Sequence, residues 1–196
     1  MTEPVPHPAL KAHLRRAALA RRADLTPGQA ADAAARAAAV AEAWIAGRSP
    51  ATVALYAAIR GEIDAMPLAE RLHRRGIALA LPAVVEQGRP LAFRAWRPGE
   101  ALLPGFAGIP EPSTEAAPAL PDVVVAPLAA FDRTGHRIGY GAGFYDRTLE
   151  ALSANRRIAA LGLAFACQEV DAVPAEPHDR TLDAVATEAG LVRPGE

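Results

Sequence analysis

The spacing of apolar and polar residues predicts helices at the start of the chain. Leu10 and Leu14 lie four residues apart among arginines, a pattern typical of a short basic helix over residues 9–22. The segment TPGQ at 26–29 matches a capping box with proline at the first helical position, and an alanine-rich stretch continues from it to about Gly47. Two helices are therefore expected before the first strand.

Further along the chain, short apolar runs alternate with helical segments. Runs without polar residues, such as VVVA at 123–126, are typical of strands buried on both faces of a parallel sheet. The alternation predicts an α/β fold, a three-layer sandwich with a mostly parallel, Rossmann-like central sheet and two N-terminal helices. We expect residues 1–196 to form a single domain. The predicted strands cover 52–57, 77–81, 91–96, 123–126, 158–164 and 184–187, and the later helices cover 64–75 and 143–153.

The segment 97–121 interrupts this alternation. It contains six prolines, which remove backbone donors and restrict the chain so that neither a helix nor a strand ladder is expected there. Loops of this length inside compact proteins usually carry function. We therefore predict an ordered loop or flap.

Composition and charge exclude several classes of protein. Hydrophobic residues make up 51% of the chain, which is enough for a packed core. The net charge of −1 produces no electrostatic field that would attract nucleic acid or an anionic membrane. The least polar stretch, 30–46, is too polar to span a bilayer. Cys167 is the only cysteine, so no disulfide or thiolate cluster forms within the chain. No secretory cleavage pattern is evident near the start, and we expect a cytoplasmic protein with no nucleic-acid or membrane partner.

A glycine-rich segment, RIGYGAGFYDR at 137–147, follows the most apolar strand. Its glycines alternate with other residues, so that backbone amides can approach an anion and then lead into a helix N-terminus. Ligands of open α/β sheets bind beyond the carboxyl ends of strands, where this segment is expected. The spacing alone leaves a phosphate-binding loop and a flexible hairpin as equal alternatives.

Carboxylates near this segment are candidate magnesium ligands. Asp146 and Asp179 offer the few carboxylate oxygens that Mg²⁺ takes beside a nucleotide, although Asp146 is equally well explained as a first-turn helix aspartate. For His178 a surface or capping role is favoured over ligation. Glu62 follows the predicted strand 52–57, where a loop carboxylate can meet a ligand, although a solvated acid is the simpler explanation.

Lys11 is the only lysine among 21 basic residues. Because the chain uses arginine at its other basic positions, we expect a lysine only where arginine cannot replace it, for example where a compact ammonium meets a phosphate. Chance retention of one lysine is the alternative. Arg15 follows one helical turn later, which makes a two-cation clamp available on one helix face. The basic helix lacks interleaved aromatic residues, so nucleic-acid contact is a weaker interpretation.

Six segments along the chain, taken in order, carry a resemblance to a known family. They are KAHLR at 11–15, LYAAIRGEID at 55–64, LPAV at 81–84, GIPEP at 108–112, APLAAFDRTGHRIGYGAGFYDR at 126–147 and the tail 161–188. Together they resemble the 5-formyltetrahydrofolate cyclo-ligase family, also called 5,10-methenyltetrahydrofolate synthetases. The resemblance implies an enzyme that uses ATP and Mg²⁺ to phosphorylate the formyl oxygen of 5-formyltetrahydrofolate. N10 then attacks the activated carbon, and the products are 5,10-methenyltetrahydrofolate, ADP and phosphate.

The resemblance also implies which residues form the site. Lys11, Arg137 and Tyr145 would act in catalysis, and the flap around Ile109 and Pro110 would close over the pterin. The implied ATP site comprises Lys11, Arg15, Arg137, Gly139, Tyr140, Gly141, Ala142, Gly143, Phe144 and Tyr145. The implied folate site comprises Ala57, Glu62, Tyr140, Gly141, Ala142, Gly143 and Phe144, and the implied Mg²⁺ ligands are Asp146 and Asp179.

Phe144 and Ala142 depart from the family pattern, which usually has tyrosine at the first position and often glycine or lysine at the second. A hydroxyl contact at Phe144 is therefore not carried over, and we expect activity with altered substrate contacts.

Two other functions stay open. A relative of sugar-phosphate isomerases or CoA-transferases would not need ATP, and a non-catalytic folate- or nucleotide-binding protein would not need both Lys11 and Asp146. We expect a monomer that acts on a reduced folate with or without a polyglutamate tail.

Overall fold

The computed structural model describes residues 7–154 and 156–195. The helices are α1 (His7–Ala23), α2 (Pro27–Ala46), α3 (Met66–Arg74) and α4 (Phe144–Ser153), with 3-10 turns at Phe106–Gly108 and Ala166–Gln168. The strands are β1 (Thr52–Ala54), β2 (Ala78–Ala83), β3 (Ala92–Ala95), β4 (Leu103–Pro104), β5 (Pro110–Glu111), β6 (Val123–Ala126), β7 (Ala130–Phe131), β8 (Arg137–Ile138), β9 (Ala159–Leu163), β10 (Ala184–Thr187) and β11 (Gly190–Val192).

Within the described residues, seven strands form one sheet in the order β11-β10-β9-β6-β1-β2-β3. The inner strands are parallel, and the edge strands β3 and β11 are antiparallel to their neighbours. The chain runs from β1 to β2 and β3 on one side and then returns through β6 to the other side of β1. The strand order therefore reverses between β1 and β6, the place where open α/β sheets bind ligands.

The strand residues alternate between two hydrophobic clusters, one on each face of the sheet. Val123 and Val125 of β6 face the cluster that contains α2 and α3, and Val124 faces the cluster that contains α4. Five of the seven buried residues of α2 are alanines, whose small side chains permit close packing on the sheet. The predicted α/β fold with a mostly parallel sheet is confirmed. No helix in the described part of the chain is long and apolar enough to cross a membrane.

Several elements differ from the sequence prediction. The predicted strand 52–57 stops at Ala54, because the chain leaves the sheet and the Tyr56 hydroxyl donates to the Ile63 carbonyl at 2.7 Å. The helix after it begins at Met66, where Asp64 still accepts the Met66 amide at 2.9 Å. The strand β11 and the β7–β8 hairpin were not predicted, since they are short and lack a strong apolar pattern.

The expectation that segment 97–121 forms no ladder is wrong. β4 and β5 pair in a short antiparallel hairpin around a 3-10 turn, and Pro104 faces Pro110 in its register. Prolines are tolerated at such an isolated edge because few backbone donors are needed there. Glu111 fastens the hairpin, because its buried carboxylate accepts the amides of Val84 at 3.2 Å and Phe106 at 3.1 Å.

The β7–β8 hairpin depends on Gly135. Its φ is +87°, and an added Cβ would lie 2.7 Å from the Leu182 carbonyl oxygen. Gly76 has a similar φ of +76° but nothing within 4 Å of an added Cβ. We expect Gly76→Ala to lower the free energy of unfolding by about 1 kcal/mol through backbone strain alone, and Gly135→Ala by about 2 kcal/mol more through the clash. Urea denaturation measures both, and equal losses would contradict the steric argument.

Candidate active site

One face of α1 carries basic residues toward the carboxyl ends of β1 and β6. Lys11, Arg15 and Arg22 are separated by four and seven residues, close to whole helical turns, so they share that face with the fully buried Ala18. Lys11 contacts the segment that carries Glu176, Arg15 contacts the glycine-rich segment, and Arg22 contacts both the glycine-rich segment and the loop after β1. The face therefore connects segments that are far apart in sequence.

Lys11 is held by two carboxylates. Its Nζ lies 2.7 Å from Glu176 Oε2 and 2.6 Å from Asp179 Oδ2. Burial opposes the charge of Lys11, but the hydrogen bonds and charges of Asp179 and Glu176 outweigh it and raise the lysine pKa. Burial likewise opposes the charge of Asp179, and the Lys11 hydrogen bond outweighs it and lowers the Asp179 pKa. Both partners are therefore ionised at neutral pH.

Arg137 and Asp146 form a second ion pair. The Arg137 side chain is only 5% exposed, and its Nη2 lies 2.7 Å from Asp146 Oδ1. Arg137 also donates to the carbonyl of Arg180, whose own amide donates to Asp146 at 3.1 Å. Because Arg180 follows Asp179, these bonds join the start of α4 to the segment that holds Lys11. The predicted residues Asp146 and Asp179 thus lie in one connected network.

The glycine-rich loop runs between the two partners of the second ion pair, Arg137 and Asp146. Arg15 Nε donates to the Gly139 carbonyl at 2.7 Å, while Gly141 and Gly143 adopt φ values of +95° and +65° that side-chain-bearing residues rarely take. Gly143 is the N-cap of α4, and no side chain in the described ranges caps that helix. Its first amides are therefore free of side-chain partners, as an anion site at a helix N-terminus requires.

Tyr140 and Glu62 meet where the strand order reverses. Burial is the largest influence on Glu62 and raises its pKa, despite the Ile59 amide at 3.0 Å, the charge of Arg22 and the Tyr140 hydroxyl. Burial also raises the pKa of Tyr140, against the hydrogen bond from Arg22. The structure therefore places a half-buried carboxylate beside the glycine-rich loop. Ala57 lies half-buried at the start of the same loop as Glu62.

The aromatic residues after Gly143 connect this loop to the hairpin. Phe144 and Phe106 form an edge-to-face pair with centroids 6.0 Å apart, so the β4–β5 hairpin lies over the glycine-rich loop. Burial, followed by the charge of Glu62, raises the pKa of Tyr145. The Tyr145 hydroxyl therefore stays protonated and is available as a hydrogen-bond donor.

The predicted metal ligands have different surroundings. Ligand atoms of Glu176, His178 and Asp179 lie within 4.8 Å of one another, whereas Asp146 is outside that group and bonded to Arg137. His178 is largely exposed, in keeping with the surface role favoured for it. A cavity of about 410 Å³ adjoins this region and is lined in part by Asp179 and Arg180.

Arg22, Glu176 and Phe106 contribute to the site but were not predicted. Arg22 had a usable signal, since it follows Lys11 by 11 residues, three helical turns. Glu176 and Phe106 had none, because long-range packing brings both to the site. The residues predicted for the glycine-rich loop do lie together, and Arg147 adds a bond of 2.6 Å to the Ala142 carbonyl.

The fold and the site define an α/β protein in which the glycine-rich loop 137–147 and the loop 55–65 after β1 lie where the strand order of the parallel sheet reverses. We call the region between these two loops the crevice. A sequence profile of the 5-formyltetrahydrofolate cyclo-ligase family matches residues 8–188. The chain belongs to this family.

Individual relatives agree with this assignment. The 5-formyltetrahydrofolate cyclo-ligase of Escherichia coli K12 is 38% identical over 141 residues, which are 69% of this chain and 77% of that protein. The Mycolicibacterium smegmatis enzyme of the same name is 33% identical over 154 residues, 74% of this chain and 78% of that protein. The NMR structure of Aquifex aeolicus 5,10-methenyltetrahydrofolate synthetase superposes with a TM-score of 0.79 at 27% identity, covering 95% of this chain and 94% of that one.

Proposed function

We propose that this protein converts 5-formyltetrahydrofolate to 5,10-methenyltetrahydrofolate and cleaves MgATP to ADP and phosphate, through a phosphorylated formyl intermediate. The observation that carries the proposal is the network of cations at the glycine-rich loop in a chain of this family: Arg15 bonds the loop, Arg137 belongs to it, and Lys11 bonds Asp179, whose neighbour Arg180 bonds Arg137 and Asp146. We further propose that residues 1–196 act as one domain, as a cytoplasmic monomer, on folates with or without a polyglutamate tail.

The residues around the loop fit a triphosphate. The start of α4 offers amides without a side-chain cap in the described chain, and the glycines leave room for phosphate oxygens to approach the backbone. Lys11, Arg15 and Arg137 would supply positive charge on two sides of that cradle. Such an arrangement supports phosphoryl transfer, in which catalysis consists mainly of positioning and charge neutralisation.

The nearby carboxylates fit Mg²⁺, which prefers hard oxygen ligands. Asp146 and Asp179 would hold the ion, and Glu176 is within reach of Asp179. When bound, the ion would neutralise charge on the phosphate oxygens. Lys11 and Arg137 now occupy these carboxylates, and the phosphates of bound ATP would give both cations new partners.

The opposite wall of the crevice suits a reduced pterin. Glu62 presents a half-buried carboxylate, which can accept hydrogen bonds from the N–H groups along a pterin edge. Phe106 and Phe144 offer ring edges above the loop, and the hairpin that carries Phe106 would exclude water from the reacting formyl group. Ile109 and Pro110 lie half-buried in the same hairpin.

The proposed chemistry explains why ATP is needed. The formyl oxygen of an N-formyl group is a poor leaving group, and its phosphorylation turns it into a phosphate that can depart. Lys11 and Arg137 would stabilise the charge on the transferring phosphoryl group. The neutral Tyr145 hydroxyl would donate a hydrogen bond to an oxygen at the reacting centre. N10 of the folate is the nucleophile that closes the ring.

The test is to mix the purified protein with 5-formyltetrahydrofolate and follow the near-ultraviolet absorbance of the methenyl product. We expect the signal only when ATP and Mg²⁺ are both present, with one ADP formed per product. Turnover without ATP would favour the isomerase or CoA-transferase alternative. Binding of folate and nucleotide without turnover would favour a non-catalytic binding protein, and either result would overturn the proposal.

A further inference from the structure

Arg22 is a buried cation that bridges the two walls of the crevice. It lies in the last turn of α1 and is only 8% exposed. Its Nη1 lies 3.1 Å from the Tyr140 hydroxyl, and its Nη2 lies 2.6 Å from the Arg60 carbonyl oxygen. Tyr140 belongs to the glycine-rich loop, and Arg60 precedes Glu62 by two residues. One guanidinium therefore contacts both the proposed nucleotide loop and the proposed folate loop.

The turn that Arg22 holds is strained. The Glu62 amide donates to the Ile59 carbonyl at 2.9 Å, and the residues between them, Arg60 and Gly61, have φ values of +51° and +75°. Successive positive φ values are unfavourable for arginine and need support from the surroundings. The bond from Arg22 to the Arg60 carbonyl supplies such support, and the turn directs the Glu62 carboxylate back toward the Ile59 amide.

Arg22 also acts on the charge of Glu62. Burial raises the pKa of this carboxylate, and Arg22 is among the groups that oppose the rise, together with Tyr140 and Arg60. The Tyr140 hydroxyl accepts a hydrogen bond from Arg22 and interacts with Glu62 in turn. A folate ligand that donates N–H groups needs Glu62 ionised and correctly oriented, and Arg22 serves both requirements.

The neighbouring arginine has a different environment. Arg21 is exposed and donates to the carbonyl oxygens of Cys167 and Glu169 at 2.6 and 3.0 Å, and these contacts link α1 to the 3-10 turn at Ala166–Gln168. Both arginines thus attach α1 to the rest of the protein. Of the two, Arg22 is the one whose contacts reach Tyr140 and the Glu62 turn.

We propose that Arg22 is a positioning residue for the reduced folate, which fixes the Glu62 carboxylate against the glycine-rich loop through the Tyr140 hydroxyl and the Arg60 carbonyl. The inference rests on the proposed function. It assigns to α1 a role in folate binding besides its contacts with the nucleotide side of the crevice.

The first experiment compares Arg22→Met with Arg21→Met in the steady-state cyclisation assay. We expect Arg22→Met to raise the KM for 5-formyltetrahydrofolate about tenfold and to leave the KM for ATP within about twofold. Arg21→Met, which removes the same charge from the adjacent residue, should change neither KM. Equal effects of Arg22→Met on both substrates would overturn the inference in favour of a general loss of structure.

The pH profile of kcat/KM for folate distinguishes the proposed positioning role of Arg22 from a purely structural one. The folate-binding form requires ionised Glu62, so kcat/KM for folate is lost as the pH falls through the Glu62 pKa. Removing Arg22 raises that pKa further, and the acid limb should move to higher pH in Arg22→Met. Arg22→Lys keeps the positive charge and should return the limb toward its original position. An acid limb that is the same in all three proteins would overturn the inference.

A double-mutant cycle completes the test. If Arg22 acts through Glu62, Arg22→Met should weaken folate binding about tenfold in the wild type but much less in a Glu62→Gln background. Additive losses would contradict the inference. Should Arg22→Met fail to fold, Arg22→Lys and Tyr140→Phe replace it in the cycle. A wild-type protein that neither binds nor cyclises the folate would refute the proposed function itself, which is a distinct result.

Discussion

Replacement of Lys11 with methionine is expected to reduce kcat/KM for ATP at least about a hundredfold, the loss that follows removal of one donor to a developing charge. Methionine keeps an unbranched side chain that is one atom shorter than lysine, and it removes the ammonium that lies between Glu176 and Asp179. The proposed phosphoryl transfer then lacks a cation, and two carboxylates face the incoming phosphates without compensation. Coupled detection of ADP measures the effect.

Arg16→Met is the matched control for this variant. Arg16 is exposed on the same helix, so its loss changes the net charge equally without touching the site. Lys11→Arg tests the argument from the lone lysine. We expect it to lose most of the activity, because a guanidinium is larger and planar and does not place its charge where the compact ammonium would meet a phosphate. Full activity of Lys11→Met, with its thermal unfolding unchanged, would refute the assigned role.

Asp146→Asn is expected to lower kcat at least about a hundredfold at ordinary Mg²⁺ concentrations, since metal coordination supplies several kcal/mol of charge stabilisation. Asparagine keeps a carbonyl oxygen for the Arg137 and Arg180 donors, so the local structure should be retained. The concentration of Mg²⁺ required for half-maximal activity should rise. Titration of kcat with Mg²⁺, and of Mn²⁺ binding by electron paramagnetic resonance with a non-hydrolysable ATP analogue present, measures both effects.

Glu150→Gln provides the control for Asp146→Asn. Glu150 lies one helical turn later on α4 and is exposed. Its substitution therefore removes one negative charge from the same helix without changing a contact of the glycine-rich loop. It should leave both titrations unchanged. An Asp146→Asn protein that needs no more Mg²⁺ than the wild type would show that Asp146 serves Arg137 alone, as a structural partner.

The central part of the fold could be predicted because its signals are local. The run VVVA at 123–126 and the capping box at 26–29 each specify an element through neighbouring residues, and both occur where expected. The β4–β5 hairpin could not be predicted in this way. It is stabilised by Glu111, which reaches Val84 across 27 positions of sequence, and no local pattern records such a contact.

In the candidate site too, the residues with local sequence signals were predicted and those brought in by long-range contacts were not. Lys11 and Arg15 were identified from composition and helical spacing, and the glycine-rich loop from its own residues. The partners of these groups were not predicted, because Glu176 follows Lys11 by 165 positions and Phe106 belongs to a segment expected to lack regular structure. Arg22 was missed although its spacing from Lys11 is regular, because basic residues at the end of a helix are common without any function.

The two ion pairs, Lys11 with Asp179 and Arg137 with Asp146, give each of these cations a carboxylate counterion from the protein itself. A free phosphate ester would have to displace the carboxylate from Lys11 or Arg137, and the carboxylate left without a partner would repel the ester. A free metal ion bound to Asp179 or Asp146 would leave Lys11 or Arg137 without a partner. The proposed magnesium–nucleotide complex would provide a partner for each of these cations and carboxylates at once. For the proposed enzyme, this favours the complex over either component and protects a basic crevice from occupation by the simple anions of the cell.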